Sequence, residues 1–236
     1  MSARAMTLSE KPAQLPLLLP HRPAQGRADF LVAPCNEDAV VWIDRWPDWP
    51  GPALVLHGPA GSGKTHLLHV WAEAARAPVW AAHSLHVADL DQRLSDHTAL
   101  AIDEAESVAD PDAFFHLFNM MRDRGGTMLL AARAAPARWS FGRADMRSRM
   151  MTAPAVALGA PDDDLLGAVL HKLFADRQLP VGIEVVRYIL SRMPRTFEAA
   201  GQIVETIDRL ALAERRPPTL PLARRALSDF CEEGEA

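Results

Sequence analysis

Between residues 53 and 158 short apolar runs alternate with segments of helical spacing. Residues 53–57 (ALVLH), 78–82, 98–102 (TALAI), 127–132 (TMLLAA) and 156–158 are the runs, and they read as strands. Residues 64–76 and 111–124 carry the helical pattern; in the second, Phe114, Phe115, Leu117, Phe118 and Met121 fall on one face. Alternation of strands and helices predicts an α/β fold, a mostly parallel sheet covered on both faces. After Pro161 the pattern becomes purely helical. Asp162, Asp163 and Asp164 precede Leu165, Leu166, Val169, Leu170, Leu173 and Phe174, acids being favoured at a helix start by its dipole. Further helices are predicted over about 183–192, 196–214 and 221–230, which together make a small helical lid.

The first 27 residues differ. Pro12, Pro16, Pro20 and Pro23 interrupt any helix or strand there, so an extended arm is expected. Leu15 to Leu19 is too short and too interrupted for a secretory core of about 7 to 15 apolar residues, and no apolar run approaches the ~20 needed to span a bilayer. The expected organisation is an arm over 1–27, an α/β core over 28–160 and a helical lid over 161–236, in a cytoplasmic protein without membrane contact.

Composition changes this picture little. The chain has 236 residues, 49% of them apolar, enough for a large core without staples. Cys35 and Cys231 lie almost the whole chain apart with no paired spacing, which suits a reducing compartment. A net charge of -5 supplies no whole-chain attraction for nucleic acid. Of 25 basic residues only Lys11, Lys64 and Lys172 are lysines, so a lysine inside a motif stands out.

One of them is inside a motif. Gly58-Pro59-Ala60-Gly61-Ser62-Gly63-Lys64-Thr65 satisfies G-x-x-x-x-G-K-[ST], after a strand and at the start of a helix. Backbone N–H groups of such a loop close around phosphate oxygens, Lys64 reaches the β and γ phosphates, and Thr65 suits Mg²⁺. Asp103 and Glu104 end the third run, where one carboxylate can hold Mg²⁺ and the next can orient an attacking water. Arg147, Ser148 and Arg149 lie between two late strands, and Arg195 follows Pro194 at a lid helix start. His66 with His69, and His83 with His86, have i, i+3 spacing without a third ligand, which makes a metal site a poor expectation. Trp42, Trp46 and Trp49 read as packing around the start of the core.

Taken together, these motifs make residues 28–231 resemble the AAA+ ATPases of the DnaA initiator group, and more closely the Hda-type regulators of that initiator. Phe30-Leu31-Val32 with Asn36 resembles the segment flanking the adenine pocket, which implies nucleotide contacts for Val32 and Ala33. The loop running into His66-Leu67-Leu68-His69 is that group's continuation, and Asp103-Glu104 fall at its Walker B position. Ser148-Arg149 matches the arginine finger, and Arg195-Thr196-Phe197 the start of the sensor II helix. Two features depart. Arg133 stands where the sensor I strand usually ends in an aspartate, which implies weak or absent intrinsic ATPase. No basic helix-turn-helix pattern follows the lid, only the acidic stretch Cys231 to Glu235. Within the arm, Gln14-Leu15-Pro16-Leu17-Leu18-Leu19 is similar to the hexapeptide by which Hda-type proteins dock on the sliding clamp.

The resemblance implies a clamp-associated regulator that stimulates ATP hydrolysis by DnaA and prevents re-initiation of replication. Its cofactors would be ADP or ATP with Mg²⁺. Its partners would be DnaA and the polymerase III clamp (β subunit), with DNA reached only through the clamp and a homodimer left open. Arg149 would act as a finger in trans, and Glu104 as a candidate water-orienting base. The alternative is a free-standing ATPase of helicase-loader type acting on single-stranded DNA, a reading that an intact Asp103-Glu104 pair favours.

Overall fold

The structure, a computed structural model, describes residues 31–234, with side chains to 230. The arm over 1–27, the clamp-like residues Gln14, Leu15, Leu17, Leu18 and Leu19, and the acidic side chains after residue 230 lie outside the described residues. Five strands form the sheet: β1 (Ala53–His57), β2 (Val79–Ala81), β3 (Ala99–Asp103), β4 (Thr127–Ala132) and β5 (Ala155–Ala157). Their order is β2-β3-β4-β1-β5, and every pairing is parallel.

Side chains of successive strand residues point to opposite faces, and each face has its own core. Val55, Leu100, Ile102 and Leu130 meet Phe114, Leu117 and Met121 of α4 (Pro111–Asp123). Leu54, Leu56, Ala101 and Leu129 meet Leu67, Leu68 and Trp71 of α2 (Lys64–Ala75). The tryptophans close this second face: Trp49 stacks on Trp71 with centroids 5.5 Å apart, Trp46 meets it edge-on at 5.9 Å, and the Trp46 indole N–H donates to Thr127 Oγ1 at 2.9 Å.

A third core belongs to the lid, α6 (Asp163–Asp176), α7 (Ile183–Leu190), α8 (Phe197–Glu214) and α9 (Leu220–Gly234). Leu166, Leu170, Phe174, Ile189, Ile203 and Ile207 are fully buried there. Its helix starts are satisfied by side chains: Asp162 Oδ1 accepts the Leu165 N–H at 2.8 Å and Thr196 Oγ1 the Ala199 N–H at 3.1 Å. Among the described residues no helix is long and apolar enough to cross a membrane.

Three helices lie outside the predicted elements: α1 (Glu37–Asp44), α3 (Leu90–Leu94) and α5 (Ala144–Thr152). The last matters for function, because residues 147–149 sit on it rather than in a loop. Its sequence, ADMRSRMMT, buries only Met146 and Met150, one helical turn apart, so the apolar signal is thin.

Before α1, Asn36 is buried at 2% exposure and knots the leading segment. Its Oδ1 accepts the Ala33 N–H at 2.9 Å and its Nδ2 donates to the Leu31 carbonyl at 3.0 Å. Gly159 N–H donates to the Cys35 carbonyl at 2.8 Å, which ties this segment to the passage between core and lid. Asn36→Ala leaves those backbone groups short of partners, and a loss of about 1 to 3 kcal/mol is expected in urea unfolding, with faster hydrogen exchange at the Ala33 amide.

Candidate functional site

The parallel sheet brings the C-terminal ends of β1, β3 and β4 to one edge, and the glycine-rich loop rises from it. Gly58 N–H donates to the Ala132 carbonyl at 3.2 Å, and a Cβ on Gly58 would stand 2.2 Å from the Leu158 carbonyl oxygen. Only glycine fits between β4 and the segment that leaves β5. Lys64 opens α2 and is buried at 9% exposure, its ammonium donating to the carbonyls of Gly58 at 2.8 Å and Pro59 at 2.6 Å, and to Ser62 Oγ at 3.4 Å. Burial pulls its pKa down, while Asp103 and Glu106 nearby push it back up and Arg133 adds to the lowering. At the end of β1, burial first and Lys64 second lower the pKa of His57.

Thr65 Oγ1 donates to Asp103 Oδ2 at 2.8 Å, so the two oxygen donors proposed for Mg²⁺ are in contact. Loop amides at a helix N-terminus, one ammonium and this hydroxyl–carboxylate pair fit a nucleotide phosphate chain with its cation. Pro59 and Ala60 are exposed at the loop tip, and His66 is half-buried one residue beyond Thr65. In the knotted segment before α1, Val32 is 51% exposed and Ala33 half-buried.

The acids after β3 separate. Glu104 has φ +53°, and its carboxylate lies 3.8 Å from His83 Nδ1 in the open. Glu106, on a short 3₁₀ turn over Ala105–Ser107, instead accepts the Arg133 N–H at 2.9 Å with Oε1. Its Oε2 is buried and has no hydrogen-bond partner among the described residues. Glu106 is the residue that motif reading passes over. Arg133 is itself a base just beyond β4, yet Glu106 supplies an acid to its backbone. The sequence signal was only a third acid after the strand, and the turn that folds it back onto β4 is a tertiary matter.

The lid closes on the same loop. Phe197 N–H donates to the Gly61 carbonyl at 3.1 Å. Gly61 has φ +69°, and a Cβ there would fall 2.4 Å from Thr196 Cβ. Just before that contact Arg195 pairs with Asp163, Nε to Oδ1 at 2.9 Å and Nη2 to Oδ2 at 3.1 Å.

Arg149 is elsewhere. Its guanidinium donates to Asn119 Oδ1 and lies 5.1 Å from the Phe115 ring centroid and 5.6 Å from that of Phe118. It is half-buried, whereas Arg147 is exposed. Arg149, Phe118 and Arg122 line a cavity of about 290 Å³ with Pro50, Pro52 and Ala53. Those residues lie at the N-terminal end of β1, and the phosphate loop follows its C-terminal end, five residues or roughly 15 Å away. The structure thus joins Gly58 to Thr65, Asp103, Glu106 and the lid segment at 195–197, and separates Arg149 from them.

Comparisons with known proteins agree with this layout. A family model described as the Hda lid domain matches residues 163–227. An uncharacterized protein of Haemophilus influenzae is 25% identical, covering 77% of this chain and 84% of its own length. The chromosomal replication initiator protein DnaA of Rhizobium meliloti is 29% identical over 72% of this chain, which spans only 40% of that initiator. Among solved structures, domain III of the Thermotoga maritima replication initiation protein DnaA superposes with a TM-score of 0.75 at 18% identity, covering 90% of this chain and 99% of that one. The Thermotoga maritima RuvB Holliday junction branch migration motor superposes at 0.61 and 16% identity, covering 75% and 61%. The fold is an AAA+ α/β core with a helical lid.

Gly61→Ala tests the lid contact. Its added methyl meets Thr196 at a left-handed backbone position, so the start of α8 must move off the loop. Hydrogen exchange at the Phe197 amide should accelerate at least tenfold, with the sheet amides unchanged.

Proposed function

The chain is a DnaA-related AAA+ protein of the Hda type, and from that premise we propose that it is a clamp-associated regulator that stimulates ATP hydrolysis by the DnaA initiator. The observation that carries this reading is the position of Arg149. It stands at the opposite end of β1 from Lys64, out of reach of a nucleotide in its own pocket, and is braced by Phe115, Phe118 and Asn119. A guanidinium held rigidly at an outer edge suits the phosphates of another molecule's nucleotide, where it would offset charge developing in the transition state.

In the chain's own pocket ADP or ATP would lie on the loop from Gly58 to Thr65, with Lys64 and Arg195 on its phosphates. Mg²⁺, held through Thr65 and Asp103, would neutralise phosphate charge. Glu104 turns outward to His83, which fits a pocket that holds nucleotide better than it hydrolyses it. Residues Gln14 to Leu19 would bind the sliding clamp, so that DNA is reached only through the clamp, and a homodimer would use the same Arg149 edge. A regulator of this kind would work in the cytoplasm.

Two measurements bear on this reading. Arg149→Ala should leave nucleotide binding unchanged and lower the phosphate release that the protein stimulates in DnaA about 10³-fold, the weight of an arginine finger; undiminished stimulation rejects the assignment. Removing residues 14–19 should abolish clamp binding in a pull-down while the thermal midpoint of the core stays put, and retained clamp binding returns that segment to a plain linker.

A further inference from the structure

Arg195 is proposed to touch phosphate, yet its charge is already taken. Both arms of its guanidinium fork face one carboxylate, Nε to Asp163 Oδ1 at 2.9 Å and Nη2 to Asp163 Oδ2 at 3.1 Å. Such paired bonds fix direction as well as charge. Asp163 is the first residue of α6, and Arg195 precedes Thr196, the cap of α8. The two side chains are 57% and 62% exposed, so the pair contributes little net stability and a stronger anion can displace it.

The three neighbouring aspartates are not equivalent. Asp162 caps its own helix through the Leu165 N–H. Asp163 takes Arg195. Asp164 is exposed and makes no hydrogen bond or ion pair with any described residue. At the other end of the same short segment, Phe197 N–H is bonded to the Gly61 carbonyl and Thr196 packs on Gly61. Arg195 is therefore two residues from the phosphate loop and held back by a competing anion.

We propose that Asp163 determines nucleotide affinity and specificity by competing with the phosphates for Arg195. A phosphate chain carries more charge than one exposed carboxylate and lies beside Lys64, so it wins the guanidinium. Each added phosphate charge favours the exchange, which makes the triphosphate gain more than the diphosphate. The exchange also frees the start of α6 from the start of α8, and so couples the bound nucleotide to the set of the lid. The inference rests on reading Arg195 as a phosphate contact.

Binding of fluorescent ADP and ATP to the full chain at low salt tests it with five variants. Asp163→Asn keeps the shape and suits a helix start; it should tighten ATP about two- to fivefold, the effect of releasing an exposed pair, and ADP less. Asp163→Ser should behave alike. Asp164→Asn removes an equal charge one residue away and should change affinity little. Arg195→Ala should weaken binding, and Asp163→Asn should have no further effect in the Arg195→Ala background. Unchanged or weaker binding by Asp163→Asn overturns the inference, as does equal tightening by Asp164→Asn or tightening that persists without Arg195. Unchanged binding by Arg195→Ala alone overturns the phosphate contact itself, and the competition with it.

Discussion

A parallel sheet delivers the C-terminal ends of its strands to one edge, and the nucleotide site follows from that constraint. β1 feeds the glycine loop, β3 ends at Asp103 and β4 runs into Arg133. The central pairing of β1 with β4 puts the Ala132 carbonyl on the Gly58 N–H, so the loop is anchored at its first residue. Glu106 then folds back onto the Arg133 N–H and closes the edge from the other side. The apolar cores on the two faces of the sheet hold these ends in register, and a slip of one residue would turn each strand's buried side chains to the wrong face.

Gly61 occupies a variable position of the loop motif, yet its backbone does more here than complete a turn. Its left-handed φ and missing Cβ let the start of α8 reach the loop, and its carbonyl accepts from that start. Loop and lid are therefore one mechanical unit. A change in the loop is therefore felt first at the lid segment that carries Arg195.

The same sheet separates two chemistries by its length. Lys64 and Asp103 gather at one end, and Arg149 stands at the other behind Phe115 and Phe118. That distance keeps Arg149 away from the loop that holds Lys64. Glu104 belongs to the same logic: once its carboxylate turns toward His83, an adjacent pair of acids in sequence no longer means an adjacent pair in space.

Much was legible in the sequence. The five apolar runs become five strands, because short, nearly uninterrupted apolar segments have no other place than between two covered faces. The eight residues from Gly58 to Thr65 announce a phosphate loop, since glycines, lysine and threonine at that spacing follow from phosphate geometry. The thin helix α5, with two buried methionines among arginines, was hidden because its apolar stripe is only one turn long. Glu106, the bond from Phe197 to Gly61 and the pairing of Arg195 with Asp163 were hidden for another reason. They join residues from 27 to 136 positions apart, and no local pattern records which turn folds back on which strand. Sequence alone determined the five strands, the lid helices and the phosphate-loop motif, whose causes are local periodicity and spacing. Only the tertiary structure decided which charges meet and which are kept apart, because that depends on the strand order and on where the lid comes to rest.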